Sequence, residues 1–220
     1  MKIEITNIRA VADGGEIEVR LEISSEEGKH QELKGRVAFF LYAETGFPIS
    51  CAHSFEIRRE ECETLMYLMQ KTSAIKKGIV FLEYAKNTKK SLKNKLVRKG
   101  YAVKIAEEAA EYLAEKGYIR EDSDAAQYAE TLAVRKLYGK NRIKKELFTK
   151  GYDGATIACT MEELDVDFGE ICAKRIQRSG GEALFSEPEA KRKTTAALLR
   201  YGFSYDDIRE ALDIIRNDNE

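Results

Sequence analysis

Three lysines recur in this chain at a fixed interval of 51 residues: Lys89, Lys140 and Lys191. Each lies in the first turn of a predicted helix, where a cation opposes the helix dipole at a cost of about 0.3–1 kcal/mol. Local helix stability therefore does not explain the three lysines, whereas an anionic binding partner would. Chance recurrence is the alternative, because lysine is common in the chain. The chemistry indicated is the binding of phosphates or carboxylates rather than catalysis.

A second set of cations is predicted on the helix faces that point away from the apolar stripe. At about 100° per residue, these side chains lie opposite leucines such as Leu92 and Leu96. The set comprises Arg98, Arg142, Lys145, Lys193 and Arg200, with Arg135 and Lys136 just upstream of the middle helix. For any one of them, an ordinary solvated helix face is the simpler interpretation. Together they predict a basic band for DNA phosphates or for an acidic protein groove, and the sequence does not separate these two partners.

The formal net charge of −1 conceals an uneven distribution along the chain. Residues 1–76 carry a net charge of −3, residues 77–150 carry +8 and residues 151–220 carry −6. Such polarity favours one face for an anionic partner. Unequal numbers of charges on solvated helix faces are the competing explanation.

Residues suited to catalysis or metal binding are scarce. The chain has only two histidines, and its four cysteines form no C-x-x-C pair, so we interpret them as buried, reduced thiols. It lacks a Gly-x-x-x-x-Gly-Lys phosphate loop and a dinucleotide-binding fingerprint. The glutamates of residues 107–115 are expected to pair with lysines. We therefore predict no catalytic site, no metal and no cofactor.

The elements that would position the cations are three helix ends that repeat with the same interval. Gly100, Gly151 and Gly202 are each followed by an aromatic residue, and each is predicted to end its helix in the left-handed conformation. Leu96, Leu147 and Leu198 align in this register, as do Val97, Phe148 and Leu199. A fixed period of this size indicates a helical repeat protein.

The first quarter of the chain has the pattern of β-strands. Apolar residues alternate with charged residues over 17–23, which predicts a half-buried strand whose polar side is exposed. Other strands are predicted from residue 3, over 37–42 and over 55–57, with a turn at 13–15. From residue 60 the apolar spacing changes to that of a helix.

The predicted fold is therefore mainly α, with three tandem three-helix repeats preceded by a small antiparallel β-subdomain. We assign 1–58 to the β-subdomain, 59–76 to a connecting helix and 77–220 to the repeats, divided as 77–121, 122–165 and 166–220. A loop is expected before Gly78. Helix caps are expected at Ser123 or Asp124, at Asp153, and in a capping box at 186–189 with a proline inside the first turn. The sheet is expected to pack on the helices, yet a fragment starting near Lys76 should stay helical.

At these helix ends the chain resembles the RecX family, the regulators of the RecA recombinase. The family pattern Leu-x-x-Lys-Leu-x-x-Lys-Gly-aromatic is matched at residues 92–101 and, with substitutions, at residues 143–152. A Tyr-Gly-Lys-x-Arg-Ile segment follows at 138–143, and an Arg-aromatic-Gly-Phe ending at 200–203. The resemblance covers residues 77 to about 216 and leaves the predicted sheet outside it.

The resemblance implies three three-helix repeats and a protein that lies in the groove of the RecA–DNA filament and suppresses its ATPase and strand exchange. It implies RecA as the partner, with single- or double-stranded DNA as a further one. Without a long apolar run or a signal-peptide pattern, we expect a cytoplasmic protein. We also expect a monomer and, from the scarcity of catalytic residues, a protein that is not an enzyme. Two alternatives remain: a sequence-independent DNA-binding repeat protein, and a repeat scaffold that binds an acidic protein.

Overall fold

The computed structural model describes residues 2–11, 15–25, 29–51 and 53–217, and it divides into two compact units, Met1–Ile119 and Arg120–Glu220. Each unit has its own cluster of buried apolar side chains. Two residues of the predicted turn at 13–15, Asp13 and Gly14, lie outside the described residues. The sequence-based division at 58, 76, 121 and 165 stays a prediction.

The first unit begins with a four-stranded antiparallel sheet in the order β3-β2-β1-β4. Its strands are β1 (Lys2–Ala10), β2 (Glu16–Ser24), β3 (His30–Ala38) and β4 (Phe55–Glu56). The antiparallel sheet is confirmed, but the strand predicted over 37–42 is wrong. Phe39–Tyr42 form a single helical turn, α1, and β3 lies earlier, where its side chains are mostly exposed and lack apolar alternation. Pairing with β2, rather than its own sequence pattern, holds β3 in the sheet.

The polar side of β2 differs from the exposed surface that the alternation predicted. The Glu18 side chain is only 2% exposed and receives a hydrogen bond from Arg9 Nε at 2.9 Å, with Lys34 Nζ at 3.3 Å. Glu16 is nearly as buried, and Lys76 Nζ lies 2.9 Å from its Oε1 atom. Cations from neighbouring strands and from the next helix therefore cover these carboxylates.

The remaining helices of the first unit are α2 (Arg59–Tyr84), α3 (Lys89–Arg98) and α4 (Val103–Glu115). The predicted loop before Gly78 is wrong, because α2 is continuous over 26 residues and Gly78 is buried inside it. A Cβ atom at Gly78 would lie 2.6 Å from Leu113 Cδ1 of α4. This glycine therefore permits close helix packing instead of forming a turn. The sheet and α2–α4 share one apolar core.

The second unit consists of six helices and a 3₁₀ turn in its described residues. They are α5 (Glu121–Val134), α6 (Lys140–Lys150), α7 (Gly154–Glu163), α8 (Phe168–Ser179), the 3₁₀ turn Gly181–Phe185, α9 (Pro188–Arg200) and α10 (Tyr205–Asn217). With α2–α4 of the first unit, they give three successive groups of three helices. The mainly α fold with a preceding antiparallel sheet is thus confirmed.

The helix-ending glycines have the conformation that the sequence predicted. Their φ angles are +95° at Gly100, +101° at Gly151 and +94° at Gly202, in the left-handed region that a side chain disfavours. At the other end of a helix, the Asp153 carboxylate accepts a hydrogen bond from the Thr156 N–H at 2.7 Å, so the predicted cap of α7 is confirmed.

Two predicted helix starts are wrong. Helix α5 begins at Glu121, after Arg120, and it carries three acidic side chains in its first turn. These carboxylates favour the helix start through the dipole, without a capping hydrogen bond. Helix α9 begins at Pro188, and Glu187 before it makes no side-chain cap. The capping box predicted at 186–189 is therefore wrong, whereas the proline predicted inside the first turn is confirmed as Pro188, the first residue of α9.

Candidate basic interface

The predicted binding residues are divided between the two units. Lys89 and Arg98 lie on α3 of the first unit. The second unit carries Lys136, Lys140, Arg142, Lys145, Lys191, Lys193 and Arg200.

In the first unit, the lysines of α3 pair with carboxylates of α4. Lys89 Nζ lies 3.5 Å from Glu111 Oε1, and Lys93 Nζ lies 2.8 Å from Glu107 Oε1. The expectation that the 107–115 glutamates pair with lysines is confirmed for Glu107, Glu111 and, through Lys71 of α2, Glu108. Lys89 therefore has a structural role, pairing α3 with α4, which the argument from the helix dipole did not predict. Arg98 is exposed and lies nine residues after Lys89, about 14 Å further along the axis of α3.

Also on α4, Glu108 receives hydrogen bonds from Lys71 and Tyr67 of α2. The bond from the Lys71 ammonium, followed by that from Tyr67, holds the pKa of the Glu108 carboxyl below its usual value. Burial raises the pKa of the Tyr67 hydroxyl to about 12, so that hydroxyl stays a donor at neutral pH. Lys71, Tyr67 and Glu108 thus connect α2 to α4 through polar contacts.

In the second unit, the start of α6 docks on the glycine turn that ends α9. The Gly139 N–H donates to the Tyr201 carbonyl at 2.9 Å, and the Asn141 N–H donates to the Gly202 carbonyl at 3.0 Å. A Cβ on Gly139 would lie 2.3 Å from Phe203 N, and one on Gly202 would lie 2.2 Å from Arg142 N. We call this backbone contact, residues 139–142 against 201–203, the glycine seam. It places Lys140 and Arg200 beside the same contact.

Arg142 belongs to a row of alternating cations and aromatic rings beside the seam. Its guanidinium lies 5.1 Å from the Tyr138 ring centre, and the Tyr138 and Tyr201 rings are 6.1 Å apart. Arg175 of α8 lies 3.5 Å from the Tyr201 ring centre. Contacts of this kind stabilise by about 0.5–2 kcal/mol each. The row therefore ties the second helical repeat to the third.

This row changes the role of one predicted residue and adds another. Arg142 Nε also lies 2.9 Å from Glu146 Oε1, and its side chain is 39% exposed, so it is a structural cation rather than a free one. Sequence reasoning missed Arg175, because its spacing from residue 201 follows no helical or repeat period.

A backbone feature precedes the seam. Leu137, buried in the core, has a φ angle of +52°, which costs a non-glycine residue about 1–2 kcal/mol. Burial of its side chain offsets that strain and fixes the path of the chain into α6. The sequence carried no sign of it, because leucine is not typical of left-handed turns.

The other predicted cations of the second unit differ in whether a carboxylate pairs with them. Lys193 pairs with Glu189 within α9, at 2.7 Å. Lys136, Lys140, Lys145, Lys191 and Arg200 are exposed, and no ion pair joins them to a carboxylate in the described part of the unit. Lys191 and Arg200 are nine residues apart on α9, about 14 Å along its axis. Lys140, Arg142 and Arg200 thus lie at the glycine seam, whereas Lys191 and Lys193 lie near the other end of α9, at its start.

Among the described residues, no group of three or more His, Cys, Asp and Glu side chains is placed to hold a metal ion. The four cysteines are unpaired, and burial raises the pKa of the Cys172 thiol to about 12. Cys62 is buried as predicted, whereas Cys159 is exposed. Within the described ranges, no helix is long and apolar enough to span a membrane.

One family model and several related sequences match this chain. The family model described as "RecX, third three-helix domain" matches residues 170–212, which lie within α8–α10. The regulatory protein RecX of Stenotrophomonas maltophilia (strain K279a) is 30% identical over 140 residues, which are 62% of this chain and 83% of the relative. The regulatory protein RecX of Clostridioides difficile (strain 630) is 26% identical over 182 residues, covering 82% of this chain and 85% of the relative.

Solved structures show the same fold. A crystal structure of regulatory protein RecX covers 96% of this chain and 99% of its own, with a TM-score of 0.72 and 19% identity. The RecX structure from Lactobacillus salivarius covers 67% of this chain and 97% of its own, with a TM-score of 0.60 and 21% identity. The first alignment includes the N-terminal sheet, which the sequence resemblance had left outside. The helix ends, the fold and the shared sequence together show that this chain belongs to the RecX family of regulatory proteins.

Proposed function

We propose that this chain regulates the RecA recombinase by lying in the groove of the RecA–DNA filament and lowering its ATPase and strand-exchange activity. Family membership supports the proposal, since the resemblance at the helix ends implies this activity. The single structural observation that supports it most is the set of exposed lysines around the start of α6, in the middle repeat: Lys136, Lys140, Lys144 and Lys145. The proposal includes a cytoplasmic monomer acting in recombination and repair, without enzymatic activity of its own.

The physical basis is electrostatic. A groove with DNA phosphates at its centre is an anionic channel, and Lys136, Lys140 and Lys145 are exposed cations that can enter it. A protein seated there would hinder the rearrangement of filament subunits and the access of a second DNA. Contacts to phosphates release condensed counterions, so rising salt should weaken the inhibition.

The test is a charge reversal in this basic surface. Lys140→Glu combined with Lys145→Glu changes two exposed side chains and avoids Arg142, whose ring and carboxylate contacts make it part of the fold. We expect this double variant to lose the ability of substoichiometric wild-type protein to lower DNA-dependent ATP hydrolysis by the matching RecA. The measurement is ATPase rate and strand exchange against protein concentration.

The matched control is Lys174→Glu with Arg209→Glu. It makes the same charge change at exposed residues of α8 and α10, whose surroundings are acidic. The control should inhibit as wild type does. If the Lys140/Lys145 variant inhibits the RecA ATPase fully, this basic surface is not part of the interface with the filament. Wild-type protein that leaves the ATPase unchanged at molar excess would contradict the proposed function itself.

A further inference from the structure

The outward face of α6 combines cations with an exposed aromatic ring. Ile143 and Leu147 are fully buried and turn the helix onto the core of the second unit. The residues on the other side are exposed: Lys140, Asn141, Lys144, Lys145, Phe148 and Thr149. Lys144 and Lys145 precede Phe148 by four and three residues, so all three share one helix face. The Phe148 side chain is 68% exposed.

The repeats provide an internal comparison for this phenylalanine. Val97 and Leu199 occupy the equivalent positions of α3 and α9, and both are partly buried against their cores. Phe148 is larger and more apolar in area than either, yet most of its surface faces solvent. Phe148 therefore exposes more apolar surface than its counterparts in the other two repeats.

The charged residues that share the outward face of α6 with Phe148 are lysines. Glu146 is the only acidic residue of α6, and its carboxylate is paired with Arg142. Lys144 and Lys145 remain beside the ring, with Lys140 one turn before them. Another exposed aromatic of this unit, Tyr205, is 69% exposed but is followed directly by Asp206 and Asp207.

We infer that the outward face of α6 binds single-stranded DNA, with Phe148 stacked on one base and Lys144 and Lys145 at the flanking phosphates. An aromatic ring among cations is the composition of sequence-tolerant single-strand binding surfaces, because every base offers a flat face and every linkage a negative charge. Duplex DNA would meet the lysines but offers no free base face to the ring. The core of a protein interface is depleted in lysine, which disfavours a protein as the occupant of this face.

The inference does not rest on the proposed regulation of RecA. Binding to a bare single strand can be measured without any recombinase. A protein that binds single strands without affecting RecA, or the reverse, would separate the two proposals.

The experiment measures the affinity of the full chain for labelled oligothymidylate of about 15 nucleotides, by fluorescence anisotropy at low salt. Phe148→Ala should weaken binding by about fivefold to a hundredfold, the loss measured for one base stacked on an aromatic ring. A strand of abasic sites keeps the phosphates without the bases, so on it Phe148→Ala should bind as wild type does. Tyr205→Ala, the matched control, should change neither affinity.

A second variant detects stacking between the side chain at position 148 and a base directly, by fluorescence. The sequence contains no tryptophan, so Phe148→Trp introduces a single fluorescent reporter at the proposed contact. Oligothymidylate should quench its emission, whereas the abasic strand should not.

Three results would overturn the inference. They are an absence of wild-type binding to the single strand at low salt, an equal loss by Phe148→Ala on normal and abasic strands, and indole emission of the Phe148→Trp variant that the single strand leaves unchanged. Retained single-strand affinity in Phe148→Ala, together with weaker binding to RecA filaments, would assign the ring to a protein contact instead.

Discussion

At the scale of single residues, Gly139 and Gly202 determine how closely two repeats approach. A Cβ at either position would lie within 2.5 Å of the other segment's backbone, so something in the seam would have to move. Backbone atoms cannot rotate away as a flexible side chain can. The left-handed φ of Gly202 is thus only part of the reason for glycine there.

Two glycines of nearly equal conformation, Gly100 and Gly202, should therefore differ in their tolerance of alanine. Gly100 has nearly the same φ angle as Gly202, but a Cβ there meets no described atom within 4 Å. Gly100→Ala should cost about 1–2 kcal/mol of unfolding free energy from backbone strain alone. Gly202→Ala should cost about 1–3 kcal/mol more, from overpacking. Urea unfolding of the two variants measures the difference, and equal losses would contradict the role of the seam.

Glu18 is a second residue whose environment has measurable consequences. The hydrogen bond from the Arg9 guanidinium, with Lys34 beside it, holds the pKa of the Glu18 carboxyl below its usual value. A lowered pKa means that the ionised form stabilises the folded state. That contribution is complete above the unfolded pKa of about 4.3 and is lost as the pH falls through the folded value.

We therefore expect Glu18→Gln to lower the melting temperature at pH 7, and the difference from wild type to shrink as the pH falls below about 4. Glu22→Gln, an exposed change on the same strand, is the control and should leave the melting temperature unchanged. Scanning calorimetry of the full chain between about pH 7 and pH 3 makes the comparison. A difference that stays constant over this range would show that Glu18 ionisation is not the cause.

The candidate site was predictable from the sequence only as a set of helix faces. Helical periodicity identified Lys145 as outward-facing, the repeat interval identified Lys140, and both side chains are exposed. It could not identify tertiary partners, which is why Lys89 and Arg142 were predicted to be available although Glu111, Glu146 and Tyr138 engage them. Arg175 was missed for the same reason.

At the scale of elements, α2 shows how a glycine can mislead a prediction of helix ends. Glycine weakens an isolated helix by about 1 kcal/mol relative to alanine, so a loop was expected beside Gly78. In the structure, that position lies against α4, with the Leu113 side chain occupying the space of a Cβ. Close packing between helices outweighs the local propensity.

Gly78→Ala should therefore destabilise the protein by about 1–3 kcal/mol, although alanine is the better helix former. Leu113→Ala removes the opposing side chain and should itself destabilise, because it leaves a cavity. The double variant should lose less than the sum of the two single losses, since the new methyl partly fills that cavity. Additive losses in a double-mutant cycle of urea unfolding would place Gly78 outside this contact.

The strands and helix starts show which elements a sequence pattern can identify. β2 was identified because its core face alternates strictly, and α7 because Asp153 caps it. β3 was missed because most of its side chains are exposed, so that only its pairing with β2 makes it a strand. The repeat period identified the helix ends best, since the left-handed glycine is a local requirement that recurs three times.

At the scale of the whole molecule, the apolar cores divide the chain differently from the repeat pattern. One core joins the sheet to α2, α3 and α4, and the other joins α5 to α10. The first three-helix repeat is thus built together with the sheet, whereas the second and third are built together through the glycine seam. A repeat period reports equivalent local structure, and it does not report which repeats share a core.

The last prediction concerns independent folding. Fragments 1–119 and 120–220 each retain a complete core, so each should unfold cooperatively. The circular dichroism spectrum of 1–119 should be that of mixed strand and helix, and the spectrum of 120–220 should be helical. Fragment 77–119 keeps α3 and α4 but loses the sheet and most of α2, exposing apolar residues such as Ile105 and Leu113, so it should not fold. Circular dichroism during thermal unfolding tests all three. The sequence-based expectation, that a fragment starting near Lys76 stays helical, concerns a longer chain that still contains α5–α10. A cooperative transition in fragment 77–119 itself would establish the sheet as an accessory module.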